Sequence, residues 1–389
     1  MDMHVRRLFK GWPAPILSQN LYMGLRYRAA VRIVQLLPKR ALNEQNANQE
    51  TKALMDAGHE VLSVIAPRPG VGGMVWLRTI GALKAIHLKP DIVSARDLDT
   101  LAAGLKVKQR TGAKLVYDMH DVYSYMVEGD VPKRLLPVIE KHERKLLPKV
   151  DLVLASDEGR AKWISDQWTK VGTGIDPAWD LQIILNCRDP VVPYVPLPKT
   201  TSLSYTGTLH PSRFIREMVE AMSDLDDVAL YVAGPRTPGS LYNWLEKTVC
   251  SPSCTRHNAE YHNIVFFGHL SPEQALYMMQ LTTVSVQMAD PKFTINRLGP
   301  YNRLFDAMAV GRPVIATVGT ANGDIASALG MGVISVYDVD AYKTAVKTLF
   351  EQSYEELERM SRNAYAACVG GLNWKEQAKK LVKAYADLG

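Results

Sequence analysis

Acids are nearly absent from the first 40 residues, where eight Lys or Arg (Arg6, Arg7, Lys10, Arg26, Arg28, Arg32, Lys39, Arg40) face only Asp2. That segment carries +7, so the rest of the 389-residue chain carries −1 of the total +6. Basicity is local, and without a basic stripe or recognition motif elsewhere the chain lacks the footprint of a nucleic-acid binder. Cysteine is also scarce: Cys187, Cys250, Cys254 and Cys368 are the only four. They are too few for a disulfide framework, and no secretory apolar core follows Met1, which points to a reducing, cytoplasmic compartment. No run of about 18 apolar residues is present to span a bilayer.

What the basic segment does contain is Arg mixed with Trp12, Tyr22, Tyr27, Leu and Met, in "HVRRLFKGW" and "LYMGLRYRAAVR". This is the composition of a segment lying on anionic lipid. Residues 1–29 therefore read as an arm on the cytoplasmic face of a membrane. Beyond it, β-rich apolar runs alternate with helix-period segments: "VRIVQLLP", "HEVLSVIAP", "DIVSA", "AKLVYD", "DLVLAS" and "LQIILN" are strands separated by helices. Such alternation predicts βαβ units and a parallel sheet. Four prolines between Pro190 and Pro198 interrupt it, and a run of this kind is an extended hinge. The pattern then restarts at "TSLSYTG" with a helix expected over 212–222. The resulting division is an arm (1–29), a first α/β domain (30–188), a hinge (189–199), a second α/β domain (200–370) and a last helix (371–389) packing back on the first domain. Two doubly wound sheets facing one another leave a cleft at their carboxyl ends, where such folds bind ligands.

Three stretches carry chemistry. "YDMHD", 117–121, ends a strand with Asp118, His120 and Asp121; the His is either a structural residue or one turned into the cleft. In "YTGTLHPSRF", Gly207 lets a phosphate approach the backbone, and Arg213 is expected in the first turn of a helix whose N–H groups favour anions. In "LGPYNRLFDAMAVGRPVIAT", Tyr301, Leu304, Phe305, Met308 and Ala309 recur at helical spacing as the buried stripe. That spacing leaves Asn302, Arg303 and Asp306 on the other face. An Arg near a helix start can bind a diphosphate, and an Asp one turn deeper can accept from ribose hydroxyls.

These motifs, with "NQETKALMDAGHEVLSVIAP", "DIVSARDLDTLAAGL" and "NIVFFGHLSPEQA", resemble the GT-B glycosyltransferases of the retaining family 4 type over roughly residues 30–389. The resemblance implies two Rossmann-like domains and metal-independent transfer of a sugar from a nucleoside diphosphate, with no further cofactor. The donor is a UDP or GDP sugar and the acceptor a glycan or lipid-linked molecule, as in surface polysaccharide or glycoconjugate synthesis. It further implies that Gly207, Arg213 and Arg303 hold the diphosphate and that Asn302 and Asp306 hold the ribose or sugar. The backbone of Gly268, His269 and Leu270 then faces the base, His120 acts at the reacting sugar, and Asp97 and Asp121 lie on the acceptor side. Two departures stand out: Leu298 occupies the position, eight before Asp306, where the family often has a Glu, and "KRALNEQN" replaces the first glycine-rich loop.

"CSPSCTRHNAEYH" gathers Cys250, Cys254, His257 and His262. The set is a structural-zinc candidate of uncommon spacing, and a surface loop is the plainer reading. Two rival functions stay open: a nucleotide-sugar epimerase on the same fold, using Asp118, Asp121 and Asp306, and a catalytically degenerate partner subunit.

Overall fold

The structure, a computed structural model, describes residues 31–388 except 44, 129–130, 172–176, 178, 238 and 251–260. The basic arm and most of the Cys/His cluster lie outside the described residues.

The first sheet consists of β1 (Arg32–Leu37), β2 (Glu60–Ile65), β3 (Ile92–Arg96), β4 (Lys114–Met119), β5 (Leu152–Ala155) and β6 (Asp180–Ile183). All pairs are parallel, in the order β2-β1-β3-β4-β5-β6. The central strands are apolar runs because helices cover both faces, and β3 is buried along its whole length. Helix Asp97–Thr111 ends at Gly112 in the left-handed conformation, φ 77°, a backbone state that glycine enters without a steric penalty.

The second sheet consists of β7 (Ser202–Thr206), β8 (Ala229–Ala233), β9 (Val249–Cys250), β10 (Tyr261–Phe266), β11 (Val284–Gln287), β12 (Val314–Thr317) and β13 (Gly332–Ser335). Its order is β13-β12-β11-β7-β8-β10-β9, again parallel. The Pro-rich segment between the sheets has no regular structure and is fastened by side chains: the Tyr194 hydroxyl donates to Glu358 at 3.0 Å and that of Tyr365 to the Val191 carbonyl at 2.9 Å. The final helix, Trp374–Leu388, returns to the first domain, where Leu381, Val382 and Tyr385 share a core with Ile33, Leu54, Ile92 and Val116.

One local expectation needs correction. The helix expected over 212–222 is broken: Pro211–Arg213 is a 3₁₀ turn, Phe214 is left-handed at φ 61°, and the α-helix runs Ile215–Ala221. The cause is tertiary, since the fully buried Phe214 ring packs edge-on against Tyr337 and Tyr342, with centroids at 4.9 and 5.3 Å. Helix Asn302–Val310 starts after Pro300, with Tyr301 at its N-cap position. Residues 70–87, with four glycines that mask helix propensity, are nonetheless helical, with a π turn at Leu77–Gly81.

Candidate functional site

In each sheet one interior strand has neighbours whose connections run in opposite directions. These switch points fall between β1 and β3 in the first sheet and between β7 and β11 in the second. The loops leaving the carboxyl ends of these strands form the crevices where doubly wound folds take ligands.

In the second domain those loops bring Arg213 and Arg303 together. Arg303 is 6% exposed. Its Nε donates to Gln287 Oε1 and its Nη2 to the Met288 carbonyl, both at 2.9 Å. The Arg213 guanidinium lies 3.5 Å from the Tyr301 ring centre, and that of Arg303 lies 5.0 Å from the same ring and 4.6 Å from Tyr205. Neither guanidinium forms an ion pair among the described residues, and Arg213 Nη1 is buried without a hydrogen-bond partner. Burial, and after it the charge of Arg303, push the Arg213 pKa down to about 9. Burial likewise lowers that of Arg303. Two like charges are thus held side by side with donor capacity left over, an arrangement whose chemistry suits an anion. Gly207, φ 135°, borders it; a Cβ there would sit 3.8 Å from Arg303 Cδ. Helix Asn302–Val310 has no side-chain cap.

Asn302 and Asp306 point elsewhere. The expectation that they share a face with Arg303 is corrected by the packing. Asn302 accepts from Asn186 Nδ2 at 2.8 Å, and Asp306 pairs with Arg188 Nε, both beside the hinge. Arg303 turns to the opposite side, beneath the end of β11, where Gln287 captures it. Burial raises the Asp306 pKa, with Arg188 opposing. Gly268, φ 70°, ends β10, and its carbonyl accepts from the Gly234 N–H at 2.9 Å. A Cβ at Gly234 would in turn meet the Gly207 carbonyl at 2.2 Å. The loops after β7, β8 and β10 therefore lie in file, with His269 exposed at the end.

In the first domain, Asp97 organises the facing loop. It is buried, at φ 57°, a strained value for a non-glycine residue. Its Oδ1 accepts from the N–H groups of His120 and Asp121 at 2.9 and 3.1 Å, and its Oδ2 from Arg40 Nη2 at 2.7 Å. Asp97 and Asp99 stand as an acid-x-acid pair directly after β3, which corrects the expectation that no such pair lies at a strand end. Arg40 bridges both carboxylates. Asp118 is turned into the core, paired with Arg96 Nη1 at 2.9 Å. His120 is half-buried, and burial together with the charges of Arg96, Arg160 and Arg40 holds its pKa well below the usual histidine value. The imidazole is therefore neutral at pH 7. Asp121 pairs with Arg160 Nη2 at 2.6 Å, and its charge also acts on Arg213 across the cleft.

The two domains touch directly. A Cβ on Gly159 would lie 1.7 Å from the Leu298 carbonyl oxygen, and one on Gly299 would lie 2.0 Å from Arg160 Nη1 and 2.2 Å from Asp157 Oδ2. At Gly159 the obstacle is backbone, and at Gly299 it is the ends of two side chains. Leu298 packs at the edge of the first domain's core. Beside the first switch point a cavity is lined by Lys39, Arg40, Arg68, Met74, Leu77 and Asp99, among others. Lys39 and Arg40 were read in the sequence only as part of the basic N-terminal segment, and Arg68 was not singled out.

Among the described residues, no group of three or more His, Cys, Asp or Glu could hold a metal ion.

Two facing doubly wound domains with this seam are the GT-B fold, the architecture of many glycosyltransferases. The structure is similar to sucrose-phosphate synthase of Thermosynechococcus elongatus, with a TM-score of 0.70 at 15% identity over 92% of this chain and 99% of that one. It is also similar to a glycosyltransferase from Rickettsia africae, with a TM-score of 0.68 at 13% identity over 93% and 99%. Anabaena HepE in complex with UDP and glucose aligns with a TM-score of 0.65 at 14% identity over 92% and 100%. No family model and no curated protein sequence matches the chain.

Proposed function

We propose that the chain is a retaining glycosyltransferase of the family 4 type that moves a sugar from a UDP or GDP donor to a glycan or lipid-linked acceptor. It would work on the cytoplasmic face of a membrane, with residues 1–29 on the lipid, in surface polysaccharide or glycoconjugate synthesis. The observation that carries this reading is the Arg213–Arg303 pair at the second switch point: a half-buried and a buried cation that form no ion pair among the described residues, the former with an open donor. A diphosphate supplies the missing charge. As the sugar leaves, the two guanidiniums neutralise the developing negative charge on the diphosphate, and because they are fixed beforehand they need no reorganisation. His120, neutral and held by Asp97, acts on the reacting sugar from the opposite domain. The glycine-lined seam excludes water, which would otherwise hydrolyse the donor. The HepE complexes with UDP and with UDP-glucose support a uridine donor by analogy of fold.

An epimerase reading is weaker on this geometry, because Asp118, Asp121 and Asp306 are each held by an arginine (Arg96, Arg160 and Arg188) and none is left as a free acid or base. Incubation with labelled UDP, GDP and dTDP sugars and a mixed glycan and lipid acceptor fraction tests the proposal. Transfer supports it; epimerised donor or untouched donor would replace it with one of the rivals.

A further inference from the structure

Six of the fourteen exposed large hydrophobic residues among the described part of the chain lie on two neighbouring stretches of the first domain. Val71, Val75, Ile80 and Leu83 are on the helical segment 70–87, and Leu135 and Val138 are on 133–146. Val71 and Val75 are four apart, as are residues on one α-helical face. Val75 and Ile80 are five apart, and the π turn at Leu77–Gly81 brings residues of that spacing into line. Both stretches pack on helix Asp97–Thr111, and the charge of Arg78 acts on His142, which places them side by side.

The charges around this apolar face have one sign. Residues 66–90 contain no acid, while Arg68, Arg78, Lys84, His87 and Lys89 are exposed. Lys133, Arg134, Lys141 and Lys145 are exposed on the neighbouring stretch. Of its two acids, Glu143 is fully buried and Glu140 pairs with Arg144. Apolar side chains ringed by basic ones, with Trp76 half-buried under Lys84, match a bilayer whose headgroups are anionic and whose interior is apolar. The basic cavity at Lys39, Arg40 and Arg68 opens at the start of the same segment.

We propose that this face, residues 70–87 with 133–146, docks on an anionic lipid bilayer. The surface belongs to the folded domain, is distinct from the arm, and is independent of the glycosyl-transfer reading. Co-sedimentation of the full chain with phosphatidylcholine vesicles, and with vesicles containing about one-third phosphatidylglycerol, tests it. The wild type should bind the anionic vesicles and leave the neutral ones. Val75→Glu with Leu83→Glu should weaken partitioning by roughly tenfold or more, with an unchanged melting temperature because both sites are exposed. Arg78→Gln with Lys84→Gln should weaken anionic binding and flatten its salt dependence. Val369→Glu, on an exposed site of the second domain, should bind as the wild type does. Absence of binding by the wild type overturns the proposal. So does undiminished binding by the Val75/Leu83 variant, which would leave the arm as the anchor, or an equal loss in the Val369 control, which would make the effect one of overall charge.

Discussion

Gly159 sits in the first turn of helix Glu158–Thr169, where an added methyl group would point at the Leu298 carbonyl of the other domain. The gap there is 1.7 Å, against at least 3.4 Å for ordinary contact, so Gly159→Ala obliges the seam to part locally by about 1.7 Å. Backbone, not a flexible side chain, stands in the way. Overpacking of this kind costs about 1–3 kcal/mol, which is about a 5- to 150-fold shift from closed to open domains. Turnover should fall by that factor. Nucleotide affinity should stay within about twofold, because the arginine pair lies wholly in the second domain. Stability gives the opposite sign: alanine in a helix gains up to about 1 kcal/mol over glycine, so the melting temperature should hold or rise. Gly299→Ala meets the Arg160 and Asp157 side chains at the same seam and should lower turnover in the same direction, without a helical gain in stability because Gly299 is extended, and a double variant should be less than additive because both act on one closure. Steady-state release of nucleoside diphosphate, calorimetric nucleotide binding and thermal melting decide the matter. Turnover within twofold of wild type, or a loss of turnover that tracks a lower melting temperature, would refute the reasoning.

Arg213→Met should stabilise the ligand-free protein by about 1–2 kcal/mol, discounted for partial exposure, because it removes a half-buried cation repelled by Arg303. The same change should weaken nucleotide binding at least tenfold; a lower melting temperature would show that the charge is compensated after all. His120→Ala should cut turnover by about 100-fold or more while leaving nucleotide affinity intact, and a loss of both together would make the residue structural. Because the folded pKa of His120 is depressed, its contribution to stability is complete above the unfolded value near 6.5 and is lost as pH falls from there toward the folded value. In chemical denaturation the stability difference between wild type and His120→Ala should therefore shrink as pH falls from 7.5 to about 5, the contributions of His59, His142 and Glu143 being common to both.

Periodicity made the two parallel sheets legible, because strands buried on both faces are continuous apolar runs and the turns between them are polar. The loops were harder. Gly207, Arg213 and Arg303 could be named from their motifs, and the structure gathers them at one switch point. The partners of Asp306 and Asn302 could not be foreseen, since Arg188 and Asn186 lie more than a hundred positions away and meet them only when the hinge folds back. Asp97 was legible as an acid after a strand; its work of holding the His120 loop depends on a left-handed backbone that no local residue pattern announces. The break at Phe214 is set by two tyrosines from the far end of the second domain. Gly159 gave no signal, and Gly299 only that of a tight turn before Pro300, because their contacts come from a neighbouring domain.

The central claim is that Arg213 and Arg303 hold a nucleoside diphosphate. Titration calorimetry of UDP and GDP into wild type and Arg303→Ala tests it most directly. The account predicts that one of the two nucleotides binds the wild type, and that the variant loses about 1.5–3 kcal/mol of binding free energy with only partial recovery in Arg303→Lys, where the planar fork is gone. Equal affinity in the wild type and Arg303→Ala, or no binding of either nucleotide to the wild type, would contradict it.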